Sequence, residues 1–297
     1  MNSKQQKNLL DSFVEVVRRT SCELPKDVKE AIKAGREAEV EGSQARYAMD
    51  IIWDNIRLAK EKSQPICQDT GSILFFLHYP QKLDGEDLSK LLSKAVIKAT
   101  SNGYLRQNSV DSLSGKNSGN NVGPGSPTVH ALPWKKNYID LRIILKGGGS
   151  ENMGTQYSLP DSILGAGRDL NGVKKCILDA VNRAQGKGCG PGVLAVGVGG
   201  DRSSGFLLSK EQLLRKLSDK NKNELLRDLE DECLQFSNQL GIGPMGFGGK
   251  TTLLGVKVGV LNRLPASFFV SVSYMCWACR RQGAKISPVG KIQSWFY

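Results

Sequence analysis

The chain has 297 residues, of which 39% are hydrophobic and 24% are charged. This composition excludes wholesale disorder and allows one large domain or two modest ones with a sizeable core. Lysine and arginine number 41 against 29 aspartate and glutamate residues, a formal net charge of +12. Such a balance suits an anionic substrate, an acidic partner chain or nucleic acid. No arginine-rich run or nucleic-acid recognition motif accompanies the charge, so we expect no nucleic-acid partner.

The first hundred residues have mainly helical spacing. Leu9, Phe13 and Val17 repeat at helical intervals, and the segment from Ser43 to Lys60 continues the pattern. A short apolar run, Ser72 to Leu77, predicts a strand. A further helix is expected from about Glu86 to Thr100, ending just before Gly103.

Beyond Leu113, loops of small residues alternate with strands and helices. The apolar runs that predict strands are Tyr138 to Leu145, Val193 to Gly197, Thr251 to Val260 and Ser267 to Ser273. Helical spacing is found over about Gly172 to Arg183 and over Ser209 to Leu240, the second broken near Asp219.

This mixture of elements predicts an α/β (mixed α+β) fold with mixed sheets flanked by helices. No clean linker is visible, so we expect one structural unit over 1–297, with a two-lobed form left open. Residues 1–100 form its mostly helical part, and 101–297 form a glycine-rich part that carries most of the site. All but four of the 33 glycines lie in that second part.

No targeting or membrane segment is predicted. The segment from Met1 to Arg19 is charged and amphipathic, without the apolar core of a signal peptide. The longest strongly apolar stretch, Ala266 to Cys279, is too short to cross a bilayer. We therefore expect a cytoplasmic protein that is not in a membrane.

Three of the seven cysteines lie where a loop meets a regular element, and these are Cys67, Cys189 and Cys276. Cys22, Cys176 and Cys233 have helical or polar contexts and are interpreted as buried filler. Three thiolates suit an iron–sulfur cluster, and three ligands would leave one iron of a [4Fe–4S] cluster open as a Lewis acid. A fourth ligand from Cys279 would instead favour an electron-transfer or structural cluster, which remains an alternative.

Five segments together resemble the iron–sulfur hydro-lyases, the family of class I fumarase and L(+)-tartrate dehydratase. The segments are P-I-C-Q-D-T-G (65–71), G-K-N-S-G-N-N (115–121), K-G-G-G-S-E-N (146–152), G-I-G-P-M-G-F-G-G (241–249) and C-W-A-C-R-R (276–281). The resemblance runs from about Lys26 to Lys285. It implies a [4Fe–4S] cluster on Cys67, Cys189 and Cys276, with one open iron.

The resemblance also implies the residues that contact substrate. Asp69 is the candidate acid or base, with the capping of a turn as its alternative role. Arg106 matches a family arginine that grips a substrate carboxylate. Gly148 and Gly149 belong to a loop that could present N–H groups to developing negative charge. The remaining predicted substrate contacts are Gln68, Lys116 and Asn117.

The matched segments cover the α portion of the family, which implies a separate β subunit and an α2β2 assembly. The implied reaction is the reversible dehydration of a 2-hydroxy dicarboxylate, with malate to fumarate and water as the first candidate. The alternative is the α subunit of L(+)-tartrate dehydratase. A basic polyanion-binding protein is the alternative from another class.

Overall fold

The computed structural model of the chain describes residues Met1–Tyr297 and contains helices and strands throughout. The helices are α1 (Ser3–Cys22), α2 (Lys26–Ala38), α3 (Gln44–Lys62), α4 (Gly85–Ser101), α5 (Gly148–Glu151), α6 (Leu170–Ala184), α7 (Arg202–Gln212) and α8 (Glu224–Gln239), with short 3-10 helices at Gln185–Gly188 and Pro244–Gly246. The strands are β1 (Ser72–Pro80), β2 (Thr128–Trp134), β3 (Ile139–Lys146), β4 (Thr155–Ser158), β5 (Gly192–Val198), β6 (Leu253–Val260), β7 (Phe269–Met275), β8 (Arg280–Ile286) and β9 (Ile292–Trp295). No helix combines the length and the apolar character needed to cross a membrane.

The backbone divides into two compact units, each with its own sheet. The first unit consists of Met1–Lys26, Asp54–Gly148 and Arg280–Tyr297. The second unit consists of Asp27–Trp53 and Gly149–Cys279. Each unit also has its own hydrophobic cluster. The grouping of all 297 residues into one family domain stays a prediction.

The first unit contains a five-stranded mixed sheet in the order β2-β1-β3-β8-β9. β1 is parallel to β2, and the other pairs are antiparallel. Alternate residues of β1 and β3, such as Phe75 and Ile143, point into one core because side chains alternate across a strand. Leu9 and Phe13 of α1 and Leu92 of α4 cover this face.

The second unit contains a four-stranded mixed sheet in the order β4-β7-β5-β6. β5 is parallel to β6 and antiparallel to β7, and all of its residues are buried, as expected for an inner strand covered on both faces. Helices α6 and α8 pack on one face, through residues such as Ile177 and Leu229. Helix α7 covers the other face, where the Ser209 and Ser273 hydroxyls lie 2.7 Å apart.

The prediction of an α/β (mixed α+β) fold with mixed sheets flanked by helices is confirmed. The long helix predicted from Ser209 to Leu240 is wrong at its start, although its break near Asp219 is confirmed. Helix α7 begins at Arg202 because the Asp201 carboxylate accepts hydrogen bonds from the N–H groups of Ser203 and Ser204. This cap precedes the apolar periodicity, which is why periodicity alone missed the first two turns.

Candidate active site

The loop of Cys67 joins α3 to β1 in the first unit. The Cys67 side chain is partly exposed, and its Sγ accepts a hydrogen bond from the Asp69 N–H, with an N–S distance of 3.4 Å. Gly71 closes the loop with a φ of +75°, and a Cβ at this position would lie 2.3 Å from the Lys146 carbonyl oxygen. Only glycine fits this left-handed conformation and this close approach. The turn therefore holds the Cys67 thiol against the backbone N–H of Asp69.

Three N–H groups hold the Asp69 carboxylate in one orientation. Oδ1 accepts from the Gly71 N–H at 2.7 Å and from the Asn108 side-chain amide at 2.8 Å. Oδ2 accepts from the Gly148 N–H at 2.6 Å. The bond to Gly71, two residues along, is the local turn bond, whereas those to Asn108 and Gly148 join distant segments. The carboxylate thus closes the local turn and is also held in one orientation by distant segments.

A buried asparagine organises the loop that follows α4. Asn121 is 1% exposed, and its Oδ1 accepts from the N–H groups of Asn108 and Ser109 at 2.8 and 3.3 Å. Its side-chain amide donates to the Arg106 carbonyl at 2.8 Å, which also accepts from the Thr70 hydroxyl at 2.6 Å. These bonds tie the Arg106 backbone to the Cys67 loop.

The predicted substrate residues Gln68, Arg106, Lys116 and Asn117 are all exposed. The Arg106 guanidinium has no hydrogen-bond or ion-pair partner within the chain, although its backbone is held in place. The Asn117 side-chain amide donates to the Gln107 carbonyl at 2.9 Å, so it supports the loop. Their roles as substrate contacts stay predictions.

The glycines of the 147–149 segment have different environments. The Gly148 N–H, predicted to face substrate, is already donated to Asp69 Oδ2. Gly149 is exposed, and a Cβ placed there would meet no atom within 4 Å. Within this segment, Gly148 therefore positions Asp69, and Gly149 has the open surroundings that a ligand requires.

Cys189 and Cys276 lie in the second unit, where two neighbouring strands meet loops. Val193 near the start of β5 pairs with Met275 at the end of antiparallel β7, so the residues preceding one and following the other share an edge. The Cys189 carbonyl accepts from the Trp277 N–H at 3.1 Å, which joins the two loops. Cys189 has a φ of +54°, uncommon for a side-chain-bearing residue.

Tyr274 packs beneath this pair of loops. A Cβ at Gly192 would lie 2.4 Å from its ring, so the backbone runs directly against the aromatic face. Burial raises the pKa of Tyr274 well above its usual range, and negative charge on Cys276 and Cys189 adds to the shift. The phenol therefore stays neutral, and both sulfurs are near enough to act on it electrostatically.

The other cysteines differ in character. Burial raises the pKa of Cys22 to about 11 and that of Cys176 and Cys233 to about 12. These helical thiols stay protonated at neutral pH and cannot readily act as ligands. Cys279 is 1% exposed, and its N–H donates to the Trp277 carbonyl at 2.8 Å.

The donor set of the three loop cysteines fits an iron–sulfur cluster by its chemistry. Thiolates are the ligands that hold such clusters, and hydrogen bonds to sulfur, such as that from Asp69 to Cys67, are part of their surroundings. No three His, Cys, Asp or Glu side chains are grouped as a metal site in the structure. Cys189 and Cys276 share an edge of the second unit, and Cys67 belongs to the first.

Sequence reasoning missed Asn121, Tyr274 and Arg280. Asn121 and Arg280 lie inside segments quoted for their resemblance, but nothing in a single sequence shows that an asparagine or an arginine is buried. Tyr274 directly follows the apolar run Ser267 to Ser273 that predicts a strand. Its special role comes from the glycines opposite it, at 188 and 192, which signal a close approach.

Comparisons with known proteins agree on one family. Residues 10–285 match the family described as fumarate hydratase (Fumerase). A protein of Geobacillus stearothermophilus, provisionally named class I fumarate hydratase, is 51% identical over 97% of this chain, which spans 57% of that protein. A provisionally named L(+)-tartrate dehydratase subunit alpha of Methanocaldococcus jannaschii is 33% identical over 95% of this chain and 99% of its own length. The L(+)-tartrate dehydratase subunit alpha of Escherichia coli is 29% identical, with 95% and 93% covered.

Proposed function

Because the chain belongs to the fumarate hydratase (Fumerase) family of hydro-lyases, we propose that it forms part of an enzyme that reversibly dehydrates a 2-hydroxy dicarboxylate. The observation that carries the proposal is the extent of the family match, which includes all three cysteine loops, at 67, 189 and 276. The Cys67 loop adds geometric support, since it carries a partly exposed thiol and a carboxylate held in one orientation.

The proposed reaction is the dehydration of malate to fumarate and water. The C–O bond to the hydroxyl breaks, the neighbouring carbon gives up a proton, and the electron pair of that C–H bond forms the double bond. The higher identity to the fumarate hydratase relative, 51% against 33% and 29%, supports this substrate. L(+)-tartrate is the second candidate, because the alpha subunits named for it match this chain over nearly their whole length.

Cys67, Cys189 and Cys276 are the residues that would hold a [4Fe–4S] cluster, with one iron left open. When bound, the cluster supplies a Lewis acid that stabilises the departing hydroxide.

The chain itself supplies groups that orient substrate and handle charge. The exposed Arg106 guanidinium can bind a carboxylate through two parallel hydrogen bonds, because its backbone is anchored and its side chain is unpartnered. Asp69 is held in one orientation by three donors, so it can exchange a proton with a substrate placed beside Cys67. Gln68, Lys116 and Asn117 would line the same approach, and Gly149 would allow substrate close to the backbone.

We further propose that the active enzyme includes a β subunit in an α2β2 assembly and is cytoplasmic. The chain spans little more than half of the fumarate hydratase relative and nearly all of two proteins named as alpha subunits. Further substrate-binding groups would then come from the β subunit.

The test is anaerobic co-expression of this chain with the proposed β subunit, followed by assays with fumarate, malate and L(+)-tartrate. We expect fumarate to be hydrated and malate to be dehydrated, with L(+)-tartrate a poorer substrate. C67S, C189S and C276S should each lose cluster absorbance and iron content together with activity.

The matched control is C233S, which replaces a buried helical thiol of the second unit and should keep both iron and activity. Wild-type-like iron and activity in C67S would contradict the ligand assignment. An enzyme that dehydrates only L(+)-tartrate would overturn the choice of substrate and leave the reaction class in place.

A further inference from the structure

Arg280, the first residue of β8, is a fully buried cation without a partner. Its relative exposure is 0%, and its Nε, Nη1 and Nη2 atoms make no hydrogen bond. No carboxylate oxygen lies within 4.0 Å of these nitrogens. Buried charges in proteins are normally paired because removing them from water is very costly. Arg280 therefore needs an explanation beyond packing.

The neighbouring Arg281 is buried in the usual way, with a partner for its charge. Arg281 is also 0% exposed, but it points to the opposite face of the sheet, and its guanidinium lies over the Tyr297 ring at 4.7 Å. Arg215 of the second unit is likewise paired, with Glu230 and Asp219. Of the two arginines with 0% exposure, Arg280 alone has no partner.

Arg280 lies behind the Asp69 loop. It pairs with Leu145 of β3, two residues before Gly147. A Cβ on Gly147 would lie 3.2 Å from Asp69 Oδ2 and 3.6 Å from Arg280 Nη2, so both side chains border the same glycine. The Asp69 oxygens are already engaged by Gly71, Asn108 and Gly148. The guanidinium is thus close to the carboxylate without neutralising it through an ion pair.

This arrangement solves an electrostatic problem of the proposed site. A dicarboxylate placed beside Asp69 meets a negative charge that repels it. A positive charge fixed in the low-dielectric interior behind Asp69 offsets that repulsion over several ångströms, and salt screens it less than it would a surface lysine.

We propose that Arg280 is a positioning residue that acts through space on anion binding, its buried charge being compensated when a dicarboxylate binds beside Asp69. The inference rests on the proposed function for the class of ligand. In the ligand-free protein the buried N–H groups of Arg280 have no partner, and a bound anion would reduce the cost of burying this charge. Stability and affinity should therefore respond in opposite directions when the charge is removed.

The experiment compares R280M with R281M in the anaerobic enzyme with its complementary chain. Calorimetric titration with fumarate measures affinity, and thermal unfolding without dicarboxylate measures stability. R280M should keep or raise the unfolding temperature and weaken fumarate binding by at least about tenfold. R281M should lower the unfolding temperature, because it loses the stacking on Tyr297, and should bind fumarate like the wild type.

Two further variants separate the charge of the side chain from its size and packing. R280K retains the charge and should restore most of the affinity, whereas R280Q should bind as weakly as R280M. A merely structural arginine would not produce the rescue of fumarate affinity by lysine.

Wild-type fumarate affinity in R280M or R280Q, or equal affinities in R280K and R280Q, would overturn the inference while leaving the proposed function intact. An unfolding temperature of R280M lowered as far as that of R281M would also overturn it. A wild-type enzyme that binds neither fumarate nor malate would contradict the proposed function itself, and the inference with it.

Discussion

The two units position their cysteines by different means. In the first unit, polar side chains hold the Cys67 loop, because Asp69 and Asn121 accept hydrogen bonds from segments that are distant in sequence. In the second unit, the main chain holds Cys189 and Cys276, through the β5–β7 ladder and the bond from Trp277 to Cys189. The contrast teaches that polar substitutions should disturb the first region, and substitutions of glycine the second.

The largest expected effect is that of G192A in the second unit. The added Cβ would lie 2.4 Å from the ring of buried Tyr274, so we expect a loss of about 3 kcal/mol in the free energy of unfolding. G255A on β6 is the matched control, because its Cβ meets only a flexible leucine end at 3.1 Å, and it should cost below about 1 kcal/mol. Chemical denaturation measures both losses. Equal losses would contradict the conclusion that close packing of the main chain on Tyr274 stabilises this region.

A second test compares the thiols of the loops with those of the helices. In cluster-free protein, alkylation followed by mass spectrometry should label partly exposed Cys67 and Cys189 first. Cys176 and Cys233, with a pKa of about 12, should react at least about a hundredfold more slowly. Unfolding in guanidinium should make all seven cysteines react alike. Labelling of native Cys233 as fast as Cys67 would contradict the distinction between loop thiols and helical thiols.

A third test addresses the polar network of the first unit. N121A removes an amide that accepts from Asn108 and Ser109 and donates to Thr100 and Arg106, so we expect a loss of about 2 kcal/mol. N117A is the control, since this exposed amide makes two bonds, to the Gln107 carbonyl and from the Gly119 N–H, and their loss at the surface should cost about 0.5 kcal/mol. Similar denaturation midpoints for N121A and the wild type would show that backbone contacts alone stabilise the Cys67 region, as in the second unit.

The smallest expected effect concerns the pH dependence of the second unit. Burial alone would raise the pKa of Asp219, but hydrogen bonds from Arg215 and Lys257 outweigh it and lower the pKa below the usual value. A lowered carboxyl pKa stabilises the fold above the unfolded pKa of about 4, and this contribution is lost as pH falls through the folded pKa. D219N should therefore reduce the loss in the free energy of unfolding at acid pH. An unchanged loss at acid pH would contradict a stabilising role for the bonds of Asp219 to Arg215 and Lys257.

The strength of the sequence prediction differed between elements for identifiable reasons. The helix predicted from Glu86 to Thr100 and the strand from Ser72 to Leu77 agree with α4 and β1 within a few residues, because their apolar spacing matches one buried face. Strand β8, R-R-Q-G-A-K-I, was not predicted, since its inward positions include Arg280 and Gln282. Strand β2 contains Pro133 and lies at a sheet edge, so it also lacks the expected alternation.

The candidate site divides in the same way. Its three cysteines could be proposed from the sequence, because glycine, proline and small polar residues mark the loops that carry them, whereas Asp69 is proposed through the family resemblance. The use of the Gly148 N–H by Asp69 could not be foreseen, since it depends on two segments 79 residues apart meeting in the fold.

By itself, the sequence determined the mixed fold, the loop cysteines and the helical filler cysteines, because those follow from local spacing and residue type. Only the tertiary structure decided which polar groups are buried and whether they have partners. Asn121 is satisfied by four neighbours and Arg280 by none, although both are strongly polar residues in glycine-containing segments. The free energy of a buried polar group is set by its partners, and those come from segments that the sequence does not place side by side.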